Sequence, residues 1–224
     1  MIRRIAALTV FLLATAACNN EPAPPSTVEP FDLVIANGTI YDGHGGDPYV
    51  ADVAIRGDRI VAIGVDLGPA TRMLDAKGLA VAPGFINMLS WATESLIEDG
   101  RSQSDIRQGV TLEVMGEGWS MGPLSDAMKV GVAERQGDIK FDVSWDTLGG
   151  YLQFLEDKGI STNVASFVGA TTVRIHELGF EDRAPTPEEL ERMRALVRTA
   201  MEEGALGVGS SLIYAPAFYA DSDE

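Results

Sequence analysis

Cysteine occurs once and histidine twice in these 224 residues. A single cysteine rules out an intrachain disulfide. The two histidines, His44 in a Gly-rich turn and His176 in a loop beyond Arg174, are read as surface groups rather than metal ligands. Basic residues are scarce: 17 Lys and Arg stand against 33 Asp and Glu, for a net charge of −16. That balance repels polyphosphate and anionic lipid surfaces and argues against a nucleic-acid partner. Long hydrophobic runs are missing too. The longest, residues 5–17, has thirteen residues, too few to cross ~30 Å of hydrocarbon as a permanent helix. What is present suffices for folding, because 46% apolar and 22% charged residues can bury a sizeable core in one or two domains.

The short apolar run is laid out for export. Arg3 and Arg4 precede it and Leu13-Ala14-Thr15-Ala16-Ala17-Cys18 closes it, which is the order of a signal peptide. The closing residues resemble a bacterial lipobox, in which the cysteine is lipidated and begins the mature protein. An Ala-rich cleavage site with an incidental cysteine is the alternative. Residues 1–18 are therefore expected to be a lipoprotein-type signal with Cys18 as lipidation site. The protein is then expected at the periplasmic face of a bacterial envelope, touching the membrane through a lipid anchor only. Residues 19–30, with prolines at 22, 24, 25 and 30, suit a stiff polar tether.

Between residues 31 and 82 the pattern is β throughout. Leu33-Val34-Ile35, Thr39-Ile40-Tyr41, Val53-Ala54-Ile55, Ile60-Val61-Ala62-Ile63 and Leu79-Ala80-Val81 are short apolar runs separated by turns. Asn37-Gly38, Asp42-Gly43 and Gly57-Asp58 supply turn residues that tolerate positive φ. A small antiparallel β-sandwich is expected. After Pro83-Gly84 the rhythm becomes strand, helix, strand, helix. Strands are expected at residues 85–89, 110–115, 163–168 and 206–211, and helices at 94–108, 145–158 with Asp146 as a possible cap, and 186–203. The last opens on Thr186-Pro187-Glu188-Glu189, a cap, a first-position proline and a Glu three residues after the cap, and ends at Gly204. Such alternation implies an α/β fold with a parallel sheet, doubly wound or a barrel.

Three stretches in order carry a family resemblance: Asp32-Leu-Val-Ile-Ala-Asn-Gly-Thr-Ile-Tyr-Asp-Gly43, Asp58-Arg-Ile-Val-Ala-Ile-Gly64 and Asp75-Ala-Lys-Gly-Leu-Ala-Val-Ala-Pro-Gly-Phe-Ile86. They resemble the opening of amidohydrolase-superfamily enzymes. Gln108-Gly-Val-Thr111, Val168-Gly-Ala-Thr-Thr-Val-Arg174 and Glu203-Gly-Ala-Leu-Gly-Val-Gly-Ser-Ser-Leu-Ile-Tyr-Ala-Pro216 are similar to the D-aminoacylase, or N-acyl-D-amino-acid deacylase, group. The resemblance implies a composite β-sandwich over residues 31–82 and a metal-dependent TIM-like (β/α)8 barrel beginning at residue 83. The implied activity is hydrolysis of a small-molecule linear amide by water activated on one zinc ion. A bound zinc lowers the pKa of its water to about 7 and polarises the carbonyl, and barrel sites sit at the C-terminal ends of the strands.

The chain departs from that pattern. Most relatives end the first barrel strand in Asp-x-His-x-His, where this sequence has Asn87-Met88-Leu89-Ser90-Trp91; Leu89 has no lone pair and Trp91 only a donor N–H. The group also uses a cysteine ligand after the second strand. Aligned from Ser120 and Pro123, Glu117 takes its place as candidate metal ligand; counted from Gly109 the register slips by one. An ordinary loop carboxylate is the other reading of Glu117, and Glu113 is read as a mid-strand group pairing with a cation. Tyr214 is a candidate pocket residue or simply the cap of a strand end. Arg174 is a candidate clamp for a substrate carboxylate, or a partner of Glu177 or Asp182. Met115, Trp119 and Met121 are read as core. A barrel needs about 250 residues and only about 140 follow Pro83, so the catalytic residue and remaining ligands are expected beyond Glu224 in a longer protein. Two function classes stay open: the deacylase, and a non-catalytic envelope lipoprotein that kept the fold without its metal ligands.

Overall fold

The computed structural model describes residues 29–224; residues 1–28, with the expected signal, Cys18 and most of the tether, lie outside them. The chain divides into two compact units, one ending at Ala82 and the other Pro83–Glu224. No helix among the described residues is long and apolar enough to cross a membrane.

The first unit is one five-stranded sheet: β1 (Phe31–Ile40), β2 (Tyr49–Arg56), β3 (Arg59–Gly64), β4 (Ala70–Asp75) and β5 (Ala80–Val81), in the order β3-β2-β1-β4 with β5 also on β1. The β1–β2 and β2–β3 pairs are antiparallel, but β1 runs parallel to β4 and β5. The pairing is therefore mixed, where antiparallel pairing throughout was expected. Period-2 alternation sends Val34, Ala36 and Ala54 into one apolar cluster and Ile40, Ala51 and Val53 into another.

Asn37-Gly38 is not a hairpin turn. It is a bulge inside β1, where the register against β2 shifts between Ile35 and Gly38. Asn37 takes φ 62, tolerated by Asn because its side chain bonds locally. Its backbone N–H donates to Asp52 Oδ1 at 2.9 Å and its Nδ2 to Asp75 Oδ1 at 3.0 Å, holding the Asp75 carboxyl below the usual range. Gly38 is required because a Cβ there would overlap the Val81 side chain.

The second unit alternates strands and helices. It comprises β6 (Phe85–Asn87), α1 (Ser95–Glu98), α2 (Gln103–Ile106), β7 (Val110–Met115), α3 (Asp126–Arg135), α4 (Leu148–Lys158), β8 (Asn163–Ser166), β9 (Val168–Gly169), α5 (Ala170–Leu178), α6 (Pro187–Glu202) and β10 (Val208–Gly209). β6, β7 and β8 form a parallel sheet and β9 pairs parallel with β10. Only Phe167 separates β8 from β9; its N–H donates to Met115 O on one side, while Val168 N–H donates to Gly207 O on the other. Residues 163–169 thus act as one strand between two neighbours, giving four successive parallel strands with helices between them.

Local chemistry explains the helix ends. Thr186 caps α6 with a complete capping box, its hydroxyl accepting from Glu189 N–H and the Glu189 carboxylate accepting from Thr186 N–H. Arg183 forks onto the same carboxylate at 2.7 and 2.8 Å and, with the Thr186 N–H, lowers the Glu189 carboxyl to about 2. α4 is capped by Thr147, whose hydroxyl accepts from Gly150 N–H; Asp146, the expected cap, pairs with Lys129 instead. The helix expected over residues 94–108 is broken at Ser102, which sits at φ 43. Two apolar clusters fill the unit: Leu96, Met115, Trp145, Tyr151 and Leu155 on one side, and Leu148, Val168, Val173, Leu178 and Met193 on the other.

Candidate active-site cavity at the strand ends

Strand β7 carries a fully buried carboxylate, Glu113. Among the described residues no cation pairs with it, where the sequence suggested one. Three hydroxyls donate to it: Ser90 Oγ to Oε2 at 2.6 Å, Ser102 Oγ to Oε1 at 2.9 Å and Thr162 Oγ1 to Oε1 at 3.0 Å. An ionised carboxylate only accepts, so three hydroxyl donors satisfy it where water cannot. These bonds explain the break at Ser102, whose left-handed backbone turns its hydroxyl inward. They also tie the segment after β6 and the entry to β8 onto β7. Beside them the Tyr151 hydroxyl donates to Thr93 O at 2.8 Å; burial, then the Glu113 and Glu94 charges, push its pKa up.

Beyond β7 the backbones interlock. Gly116 and Gly118 have φ 91 and 78. A Cβ on Gly116 would overlap the Phe167 carbonyl, one on Gly169 the Gly118 carbonyl, and one on Gly209 the Gly116 carbonyl. Glycine is what permits this approach. Ser120 locks it, its N–H donating to Thr172 Oγ1 at 2.8 Å and its Oγ accepting from Gly169 N–H at 2.9 Å.

These constraints frame a cavity of about 940 Å³ at the C-terminal ends of the strands, within the size range of small-molecule sites. Its wall comprises Ser90, Trp91 and Glu94 after β6, Gly116, Glu117 and residues 119–121 after β7, one face of α3 ending at Arg135, the last turn of α5 with Phe180, and Tyr214. Glu117 lies in this wall and is exposed, and Tyr214 joins it from beyond β10. Trp119 and Met121 also line the cavity, whereas Met115 is buried core.

Arg174 is elsewhere. It is 1% exposed, ion-paired with Glu224, and its Nη2 donates to the carbonyls of Arg183 (2.6 Å) and Glu181 (3.3 Å). Its two terminal nitrogens are thus engaged inside the protein while its Nε has no partner; it pairs with neither Glu177 nor Asp182 and does not line the cavity. His176 is not in a loop. It lies in the last turn of α5 and lines the cavity, its Nδ1 3.0 Å from Glu177 Oε1, with Arg192 on the other oxygen of Glu177 at 2.7 Å. His44 stays exposed in its turn, its backbone N–H bonded to Asp42.

Zinc takes four ligands in structural sites, and in catalytic sites three protein groups plus water. Among the described residues no three His, Cys, Asp or Glu side chains converge in a way that could hold a metal, and Leu89 and Trp91 offer none. Residues 29–224 therefore do not make a zinc site by themselves.

No family model matches the chain, but individual proteins do. It is 37% identical over 205 residues to a D-aminoacylase of Alcaligenes xylosoxydans xylosoxydans, covering 89% of this chain and 41% of that protein. It is 35% identical over 195 residues to an N-acyl-D-aspartate deacylase of the same organism, covering 86% and 39%. A solved D-aminoacylase, studied for the role of its binuclear metal center, superposes with a TM-score of 0.77 at 32% identity over 87% of this chain and 41% of that one. An N-acyl-D-glutamate deacylase from Bordetella bronchiseptica, complexed with zinc and a phosphonate mimic of the tetrahedral intermediate, gives 0.73 at 29% identity with the same coverage. The chain spans about two-fifths of the length of these relatives. Across that span it belongs to the D-aminoacylase-like group of the amidohydrolase superfamily.

Proposed function

We propose that this chain contributes to a hydrolase of N-acyl-D-amino acids, supplying the wall against which the substrate lies. The supporting observation is the cavity at the ends of β6 and β7, where Trp91, Glu117 and Tyr214 share one wall. A chain 37% identical to a D-aminoacylase has its cavity at the C-terminal ends of its parallel strands, the face that carries chemistry in barrels. Hydrolysis needs an activated water and a polarised carbonyl. Glu117 is the carboxylate of this wall that would join a zinc ion, in company with ligands from outside residues 29–224.

The test is release of free D-leucine from N-acetyl-D-leucine by the purified, zinc-supplied protein, followed by chiral chromatography. The D-substrate is expected to be hydrolysed and its L-enantiomer left intact; no release from either contradicts the reading.

A second reading is favoured by one observation, the lack of any three converging donors among the described residues: an amidohydrolase-fold protein that binds without hydrolysing. Zinc-supplied protein that takes up no zinc, binds substrate and releases no product would establish it. Export and lipid anchoring at Cys18 belong to the same proposal and rest on the Leu13–Cys18 pattern. Radiolabelled palmitate should enter the wild-type protein and not Cys18→Ala; equal labelling contradicts the anchor.

A further inference from the structure

Residues 125–144, which carry α3, differ from the rest of the second unit: none of them is buried. The chain on either side is buried, with Leu124 7% exposed and Trp145 4% exposed. The segment also leaves and returns at one pinned neck. There Leu124 N–H donates to Asp146 O at 2.7 Å, and the Trp145 indole N–H donates to Met121 O at 2.7 Å. Within the segment, Gln136 Nε2 donates to Phe141 O at 2.7 Å, which joins the end of α3 to the returning chain. The hold on the body of the protein is slight. Met128, Phe141 and Val143 lie only partly buried against the Trp145 cluster, and Lys129 pairs with the exposed Asp146. An ion pair with an exposed partner contributes little, and segments with few buried apolar contacts are those that open first.

One face of α3 belongs to the cavity. Ala127, Met128, Gly131, Val132 and Arg135 recur at helical spacing and line it, whereas Asp126, Val130 and Glu134 on other faces are exposed. Another wall is the end of α5, with Ile175, His176 and Phe180, and α5 is itself tied to α6 by the Glu177–Arg192 pair. The space of about 940 Å³ is at the upper end for drug-sized ligands. An N-acyl amino acid is smaller than that and would leave bulk water around its amide unless a wall moved inward. Lids that close on a substrate exclude such water.

We infer that residues 125–144 form a lid, pivoting on the Leu124–Trp145 neck, whose α3 face closes across the cavity toward α5 when substrate is bound. The identity of the substrate rests on the deacylase reading; the opening and closing of the segment does not.

Closure toward α5 shortens the distance from α3 to α6, and this can be measured without turnover. Nitroxide spin labels are placed on the full protein at Val130→Cys and Ala195→Cys, both exposed positions, in a Cys18→Ala background because that is the chain's one cysteine. Gln153→Cys with Ala195→Cys, on α4 and α6, is the control pair within the body. Distances are read by pulsed electron paramagnetic resonance with and without N-acetyl-D-leucine, and equilibrium dialysis measures binding separately. Without ligand, the Val130–Ala195 pair should give two populations. Ligand should convert them to the shorter one, a shift of more than about 2 Å, while the control pair stays fixed. A single narrow Val130–Ala195 distance, with or without ligand, overturns the lid. Two populations that bound ligand leaves unchanged overturn closure on substrate. Two populations together with no binding leave the opening established and contradict the deacylase reading alone.

Discussion

Replacing Glu113 removes the acceptor shared by Ser90, Ser102 and Thr162, all of which are nearly inaccessible. A buried hydroxyl left without its partner costs about 1–3 kcal/mol. Three at the low end give about 3 kcal/mol for Glu113→Ala, before the void left by the side chain is added. Glu113→Gln keeps one oxygen and turns an NH2 toward a hydroxyl, so about 1–2 kcal/mol is expected from the lost charge-assisted bond. Ser102→Ala should cost less than Glu113→Ala, since it removes one donor of three. Urea unfolding followed by fluorescence measures this. With m near 1–3 kcal/mol/M, a 3 kcal/mol loss moves the midpoint by about 1 M or more. Glu113→Ala and Ser102→Ala should also be non-additive, because they share one bond. If Glu113→Ala unfolds within about 0.5 kcal/mol of wild type, the three-hydroxyl anchor is not what holds the strand ends together.

Glu189 sits at about 2 in the folded protein against 4.5 ordinarily, because of Arg183. Its contribution is therefore complete above pH 4.5 and fades as pH falls from 4.5 toward 2. The Tm gap between wild type and Glu189→Gln should shrink over that window; a gap independent of pH refutes the assignment. Gly116→Ala forces a side chain to φ 91 and into the Phe167 carbonyl, so it should cost about 2 kcal/mol or more. Gly137→Ala, with nothing within 4 Å of the added carbon, serves as control; equal Tm values for the two variants contradict the interlock. Glu117→Ala should lower zinc bound per protein chain by elemental analysis, and unchanged zinc content rules out its role as ligand.

Features with local causes were legible in the sequence. The α6 capping box needs only Thr186, Pro187 and Glu189, and strand β7 matched its apolar run. Long-range partners decided the rest. Asn37-Gly38 has the composition of a hairpin turn, but Asp52 and Asp75 bind Asn37 inside a continuous strand. No helix was expected after the strand ending at residue 168, because Thr171, Thr172 and Val173 are β-branched; burial and the Ser120–Thr172 bond hold them in α5, which carries His176 to the cavity. α3 gave no signal because it buries no residue fully. In the site, the lack of metal-binding side chains at Leu89 and Trp91 could be read directly. The partner of Arg174 could not, since Glu224 lies fifty residues away in sequence.

The account turns on where substrate lies. A crystal structure of the full protein with a phosphonate analogue of N-acetyl-D-leucine tests that most directly. The analogue should occupy the cavity at the ends of β6 and β7, in contact with Trp91, Tyr214 and Glu117. An analogue bound away from these three residues, or a cavity left empty at saturating ligand, would contradict the account.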